Sequence, residues 1–236
     1  MNAALVCENV HSGYGRIEIL TGTRLSIETG DVYALIGKNG AGKTTLLQTI
    51  LGVLKPSEGR ISLFGKEISG RPTHEIISLG VACAPQEKAF FNDLTVEENF
   101  RLGSLMLSKA EFSRGCDRVT SMFPFIAERF KQKAGTLSGG EQAMVKVARA
   151  LISEPKIVLL DEVTEGLQPM TVDRVRNVLI QDHQERGTTM LVVEQNVDFV
   201  AGFANRYGLM ERGEIHGEGN FADIKALARI HQHLMI

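Results

Sequence analysis

The sequence predicts an α/β fold: a mostly parallel sheet covered by helices, with an antiparallel β-rich start and an inserted helical stretch. Three observations predict it. Short apolar runs at Asp31–Ile36, Val81–Ala84, Ile157–Asp161 and Thr189–Glu194 read as strands buried on both faces. Helical patterns alternate with them, and that alternation builds a parallel sheet. A glycine-rich loop, Gly37–Thr45, lies between the first of these strands and a helix.

Taken in order, Ala4–Val10 and Gly22–Ile27 carry β-compatible residues separated by turn signals. After the glycine loop, TTLLQTILGVL has helical spacing and good helix formers. Lys55–Gly59 is a turn and RISLFG a strand; Val81–Ala84 is closed by Pro85. From about Glu87 to Gly135 the pattern becomes helical. Thr95 is placed to cap TVEENFRLG, whose early acids suit a helix N-terminus, and Ser108–Phe125 keeps apolar helical spacing. Gly139–Ser153 and Met170–Arg186 are further helices, and Phe221–Leu234 reads as one amphipathic helix. The expected organisation is one domain over residues 1–236. Its core and β-subdomain come from 1–86 and 154–236, and its helical subdomain from about 87–153.

At 236 residues the chain can bury a sizeable core as one domain. With 26 Lys plus Arg against 28 Asp plus Glu, it has no basic footprint, so no nucleic acid partner is expected. No apolar run is long enough to cross a bilayer. MNAALVCENV lacks a basic stretch followed by an apolar core, so no signal peptide is expected. Cys7, Cys83 and Cys116 are far apart without metal-ligand spacing and read as three reduced thiols, Cys7 and Cys83 in strands.

Gly37-Lys38-Asn39-Gly40-Ala41-Gly42-Lys43-Thr44 fits GxxxxGK[ST], with Thr45 following. Glycines let the backbone curl so that several N–H groups point at one phosphate. The helix beginning near Gly42 adds its positive end. Lys43 supplies charge to the outer phosphates, and the Thr44 hydroxyl can ligate Mg²⁺. Asp161 ends a buried strand, where a carboxylate can hold that Mg²⁺ through water. Glu162 follows, placed to act as general base for a water attacking a γ-phosphate. Leu137-Ser138-Gly139-Gly140-Glu141-Gln142 is a second glycine-rich helix start: Ser138 can cap it and its glycines allow close approach to a phosphate. One phosphate loop already serves the nucleotide, so this second start is best explained as facing another subunit's nucleotide.

In this order, GKNGAGKTT, LSGGEQ and IVLLDE resemble the ATP-binding subunits of ABC transporters, from about Leu5 to about Gly219. The resemblance implies the ABC ATPase fold, a P-loop NTPase core with an N-terminal antiparallel β-subdomain and an inserted α-helical subdomain. It implies ATP and Mg²⁺ as cofactors and head-to-tail pairing with a second ABC ATPase subunit, identical or different. Ser138, Gly139, Gly140 and Glu141 would then close on the mate's ATP. It also implies that Tyr14, in HSGYGR, stacks on adenine, and that Gln86 is the glutamine linking core to insert, its amide reaching the metal or the attacking water.

Three positions depart from the wider family. Glu162 is followed by Val163 rather than proline; Gln168 stands where many members have aspartate; and Gln195 stands where most have histidine. An amide can donate to a γ-phosphate but cannot take up a proton near neutral pH, so Gln195 is expected to sense that phosphate and Glu162 to carry the base role. The EGLQP segment and VEQN resemble the ATPases of branched-chain (hydrophobic) amino-acid importers and their urea or amide relatives, the shorter of the two subunits in particular. The implied setting is the cytoplasmic face of the membrane, with permease subunits as partners and a solute-binding protein as an indirect one. The insert and the Gln86–Thr95 loop would form the docking groove, with Phe90 and Phe91 as its floor or as plain core packing. Two other functions share the same ATP chemistry: a soluble ABC-type scaffold, for instance in metal-cluster assembly, and an exporter ATPase.

Overall fold

The computed structural model describes residues 3–86 and 90–235. The start of the insert near Glu87, residues 87–89 of the Gln86–Thr95 loop, lies outside the described residues. The chain opens on a hairpin, β1 (Ala3–Tyr14) and β2 (Ile17–Glu28), which runs well past the expected strands. Register shifts after Cys7, Val10 and Ser12 break the strict alternation there, so the far half of the hairpin does not read as strand. Next come β3 (Val32–Ile36), α1 (Lys43–Ile50), β4 (Glu58–Leu63), β5 (Lys66–Glu67), α2 (Thr73–Ser78) and β6 (Val81–Ala84). The insert holds α3 (Val96–Gly103), α4 (Lys109–Met122), α5 (Phe125–Arg129), a short 3₁₀ turn and α6 (Gly139–Leu151). The chain ends with β7 (Ile157–Asp161), α7 (Pro169–Arg186), β8 (Thr189–Glu194), α8 (Val197–Ala201), β9 (Arg206–Glu211), β10 (Glu214–Asn220) and α9 (Ala226–Met235).

The strands form two sheets. β2-β1-β4-β5 is antiparallel; β10-β9-β3-β8-β7-β6 is parallel apart from its β9–β10 hairpin. Period-two alternation splits the central strands between two cores. Val32, Ala34 and Ile36 of β3 join Val158, Leu160, Met190 and Val192 in the core under the helices. Tyr33 and Leu35 join Ile157, Leu159, Leu191 and Val193 in a second core under α1 and the antiparallel sheet. The parallel strands are therefore apolar at nearly every position, and all point their carboxyl ends to one edge.

The helical spacing of Ser108–Phe125 is carried by two helices: α4 stops at Met122, and Pro124 opens α5. One sequence expectation needs correction. The tail helix begins at Ala226 rather than Phe221, because Asn220 and Asp223 side chains accept from Ala222 and Lys225 N–H groups and hold a turn there. The β9–β10 hairpin and α2 carry polar and glycine residues that the apolar-run reading passes over.

The insert is tied to the core through a buried ion pair. Arg118 of α4 meets the fully buried Asp182 of α7 at 2.5 Å and also donates to the Leu151 carbonyl at the end of α6. Removing one buried charge leaves the other uncompensated, whereas replacing both with apolar groups is far milder. Asp182→Ala should cost about 3 kcal/mol in denaturant unfolding, and Arg118→Met with Asp182→Leu clearly less.

Candidate nucleotide site

The site assembles at the carboxyl edge of the parallel sheet, where open α/β sheets place their ligands. The phosphate loop leaves β3, Gln86 follows β6, Asp161 and Glu162 end β7, and Gln195 follows β8. Gly37 is required by close approach: a Cβ there would lie 2.4 Å from the Met210 carbonyl oxygen. Gly42, at φ 106°, turns the chain into α1 in a conformation that suits glycine.

Lys43 is only 4% exposed. Its ammonium donates to the Gly37 and Lys38 carbonyls at 2.7 and 3.0 Å and pairs with Glu162 Oε1 at 3.1 Å. Glu162 adopts φ 45°, a left-handed conformation costly for a side-chain-bearing residue, and its N–H donates to Val193 O at 2.9 Å. Two more groups, both amides, close on its carboxylate, and a hydroxyl bonds the neighbouring Asp161. Gln195 Nε2 donates to Oε1 at 3.0 Å and to Asn39 Oδ1 at 2.7 Å. Gln86 Nε2 donates to Oε2 at 3.1 Å and to Glu165 at 2.8 Å. The Thr44 hydroxyl donates to Asp161 Oδ1 at 3.3 Å. A pocket of about 270 Å³ opens over Asn39, Gly40, Gly42, Lys43, Thr44, Thr45, Gln86 and Glu162, with Ile19 of the hairpin at its side.

The donor set suits a nucleoside triphosphate with its metal. The half-buried Thr44 hydroxyl and the buried Asp161 carboxylate face each other, and both are hard oxygen donors of the kind Mg²⁺ takes. A lysine and a glycine-rich helix start offer charge and N–H groups to phosphate. Burial, reinforced by the Glu162 charge, pushes the Asp161 carboxyl up to about 6, against the pull of the Thr44 hydrogen bond and of Lys43. A bound divalent cation would favour the ionised form.

Not every expected residue is drawn in. Tyr14 is outside the pocket lining; its hydroxyl donates to Gln48 Oε1 on α1 at 3.0 Å and its ring is half exposed. Ser138, Gly139, Gly140 and Glu141 form the first turn of α6. Ser138 Oγ accepts from Glu141 N, and the Glu141 carboxylate accepts from Ser138 N at 2.9 Å. This reciprocal cap holds Glu141 below the usual carboxylate range. Ser138 and Gly139 are exposed, and open space surrounds the place a Gly139 Cβ would take. Gly139 lines a separate cleft of about 560 Å³ with Gln86, Lys146, Glu162 and Glu165. Among the departures, Val163 is buried in the helix-side core, and Gln168 is the exposed residue before α7.

Sequence reasoning missed Glu165, Lys146 and Glu194. Glu194 closes β8 and is buried; its Oε1 accepts from Thr164 N and Oγ at 3.1 and 3.0 Å. Burial pushes it up to about 7, against the hydrogen bonds from Thr164 and Asn196. In the sequence it is merely a polar strand end. The only sequence signal for Lys146 is a lone lysine inside the apolar stretch AMVKVA, which names no partner for it.

Asp161 and Glu194 both lie above their free-chain values. From the ordinary carboxylate range up to about pH 7 the folded chain therefore binds more protons than the unfolded chain, and their contribution to stability falls as pH rises. Asp161→Asn should accordingly raise the melting temperature of the nucleotide- and metal-free protein by roughly 3–8 °C at pH 8, a gain that shrinks toward pH 4.5. Thermal melts across that pH range measure it.

Comparison with known proteins agrees with this geometry. The ABC transporter family model matches residues 20–165. The high-affinity branched-chain amino acid transport ATP-binding protein BraG of Pseudomonas aeruginosa is 38% identical over 208 residues, covering 88% of this chain and 89% of that protein. The probable branched-chain amino acid transport ATP-binding protein LivF of Archaeoglobus fulgidus is 33% identical over 210 residues, 89% of each. The dimeric ATP-binding cassette MJ0796, solved in a post-hydrolysis state with ADP and Pi, aligns at TM-score 0.82 and 25% identity, covering 92% of this chain and 98% of that one. A phosphate loop, an acidic strand end and a capped LSGGEQ helix on this fold, matched by the family model over more than half its length, make this chain a member of the ABC transporter family.

Proposed function

We propose that this chain is the ATP-hydrolysing subunit that powers an importer of branched-chain or other hydrophobic amino acids, or of urea-type amides. The observation that carries the hydrolytic part is the convergence on Glu162 of Lys43, Gln86 and Gln195, at 3.1, 3.1 and 3.0 Å. ATP phosphates lie in the loop Gly37–Thr45, with Lys43 against the outer ones. Thr44 and Asp161 would hold Mg²⁺, with Gln86 beside them, and the ion would supply positive charge to the phosphates. Water attacks the γ-phosphorus, Glu162 takes its proton, and the bond from that phosphorus to the bridging oxygen breaks. Gln195 donates to the γ-phosphate. Tyr14, at the hairpin tip, faces the adenine.

Pairing with a second cassette completes the site. Gly139 has open space where its Cβ would be, so nothing in this chain demands glycine there, whereas a phosphate approaching from a mate would. The dimeric state of MJ0796 supports the same reading. The mate is a second ABC ATPase, identical or different.

Docking to permease subunits draws support from a groove of about 620 Å³ between the insert and the core. Phe91, 59% exposed, lines it with Leu102, Leu105 and Met106. Phe90 packs instead against the helix-side core beneath the Arg149 guanidinium. Buried Asn99 bonds both the N–H and the carbonyl of Phe91 and so fixes the groove wall. No helix among the described residues is long and apolar enough to cross a membrane. The transport-protein relatives support placing the chain at the cytoplasmic face of a membrane, held there by permease subunits.

Glu162→Gln should lower ATP turnover about 100-fold or more and stabilise an ATP-dependent dimer, read by light scattering with the cognate cassette present. Gln195→Ala should lower turnover about tenfold in the assembled complex; an undiminished rate removes it from the mechanism. The transport reading is tested by reconstituting the complex in vesicles. Solute-loaded binding protein should stimulate ATPase and drive uptake of labelled leucine or urea; stimulation without inward flux of either rejects it.

A further inference from the structure

The helix beginning at Ser138 reaches the hydrolysis site along its flank as well as at its tip. Lys146 interrupts the buried face of α6, between Val145 and Val147. Its ammonium donates to the backbone carbonyl of Gln86 at 3.0 Å. The side chain of the same Gln86 donates to Glu162 and Glu165. Lys146 is also attracted by Asp161 and Glu165, and it lines the cleft that Glu162 and Gly139 share.

Packing does not require a cation here. Methionine would fill the same volume without the cost of drawing an ammonium out of water, a cost that the carbonyl and the acids offset. What the ammonium adds is a fixed link between α6 and the residue whose amide holds Glu162.

We propose that Lys146 is a positioning residue for ATP hydrolysis, tying α6 to the Gln86 backbone and so setting the Gln86 amide against Glu162. Eight residues separate Ser138 from Lys146, about 12 Å along a rigid helix. The tie therefore carries the placement of the α6 tip to the carboxylate of the chain's own site. That longer-range consequence rests on the paired-cassette reading above; the local positioning does not.

The test is steady-state ATPase of the assembled complex carrying Lys146→Met. Turnover should fall about tenfold, since sub-ångström misplacement of a catalytic amide is costly. KM for ATP should stay within about two-fold, because the phosphate loop is untouched. Lys146→Arg keeps a donor and a charge and should restore at least about half of the turnover. A Lys146→Met turnover within about two-fold of the parent, or an arginine variant no better than methionine, overturns the proposal. Thermal melts of Lys146→Met should match or exceed the parent, which separates mispositioning from misfolding. ATP-dependent dimerisation of Glu162→Gln, with and without Lys146→Met, distinguishes the two readings. If Glu162→Gln alone stays monomeric, the paired reading fails while a selective turnover loss in Lys146→Met still supports the tie. If it dimerises and Lys146→Met hydrolyses normally, the tie falls and the pairing stands.

Discussion

Lys43 and Glu162 meet almost entirely out of water, and the rest of the site is arranged to make that tolerable. A buried ion pair repays its desolvation only when the remaining valences of both ions are met. Two loop carbonyls meet those of the lysine; two glutamine amides meet those of the glutamate. The requirement explains why residues from three strand ends and the loop converge at one point. It also explains how Glu162 is held in a left-handed conformation of itself worth about 1–2 kcal/mol of strain. The Val193 carbonyl grips its N–H while charged and amide groups grip its other end. The pair is a spring held at both ends, set where a polyphosphate would compete for the lysine.

Much of this was legible in the sequence, for a physical reason. Strands buried on both faces must be apolar at successive positions, so Val81–Ala84, Ile157–Asp161 and Thr189–Glu194 were read to the residue. The phosphate loop was legible because its chemistry is local: turn glycines, a lysine and a hydroxyl at fixed spacing before a helix. The caps at Thr95 and Ser138 were legible for the same reason, each a short side chain followed three residues later by glutamate, and both close as reciprocal caps.

The remainder was hidden because it depends on distant partners. The outer half of the first hairpin is bulged, which scrambles alternation. The β9–β10 hairpin is built partly from glycine and charged residues at the sheet edge, where one face meets water. Glu194 finds its partner thirty residues back, at Thr164, and Lys146 finds its own sixty residues back, at Gln86. No spacing rule connects such pairs; only the topology that lays β6, β7 and β8 side by side does. Phe90 and Phe91 are neighbours in sequence, yet one packs inward and the other faces the groove, a choice made by the Asn99 bonds to the Phe91 backbone.

The reciprocal cap on α6 has a consequence for how that helix meets anything negative. Its first turn is already ordered by Ser138 and Glu141, so a visiting anion need freeze no new backbone, and little entropy stands against contact. The same cap parks a carboxylate beside the tip, only partly neutralised by Arg129 at 3.7 Å. An anion meeting this turn would therefore feel two opposed fields at once, the positive end of the helix and the fixed negative charge of Glu141.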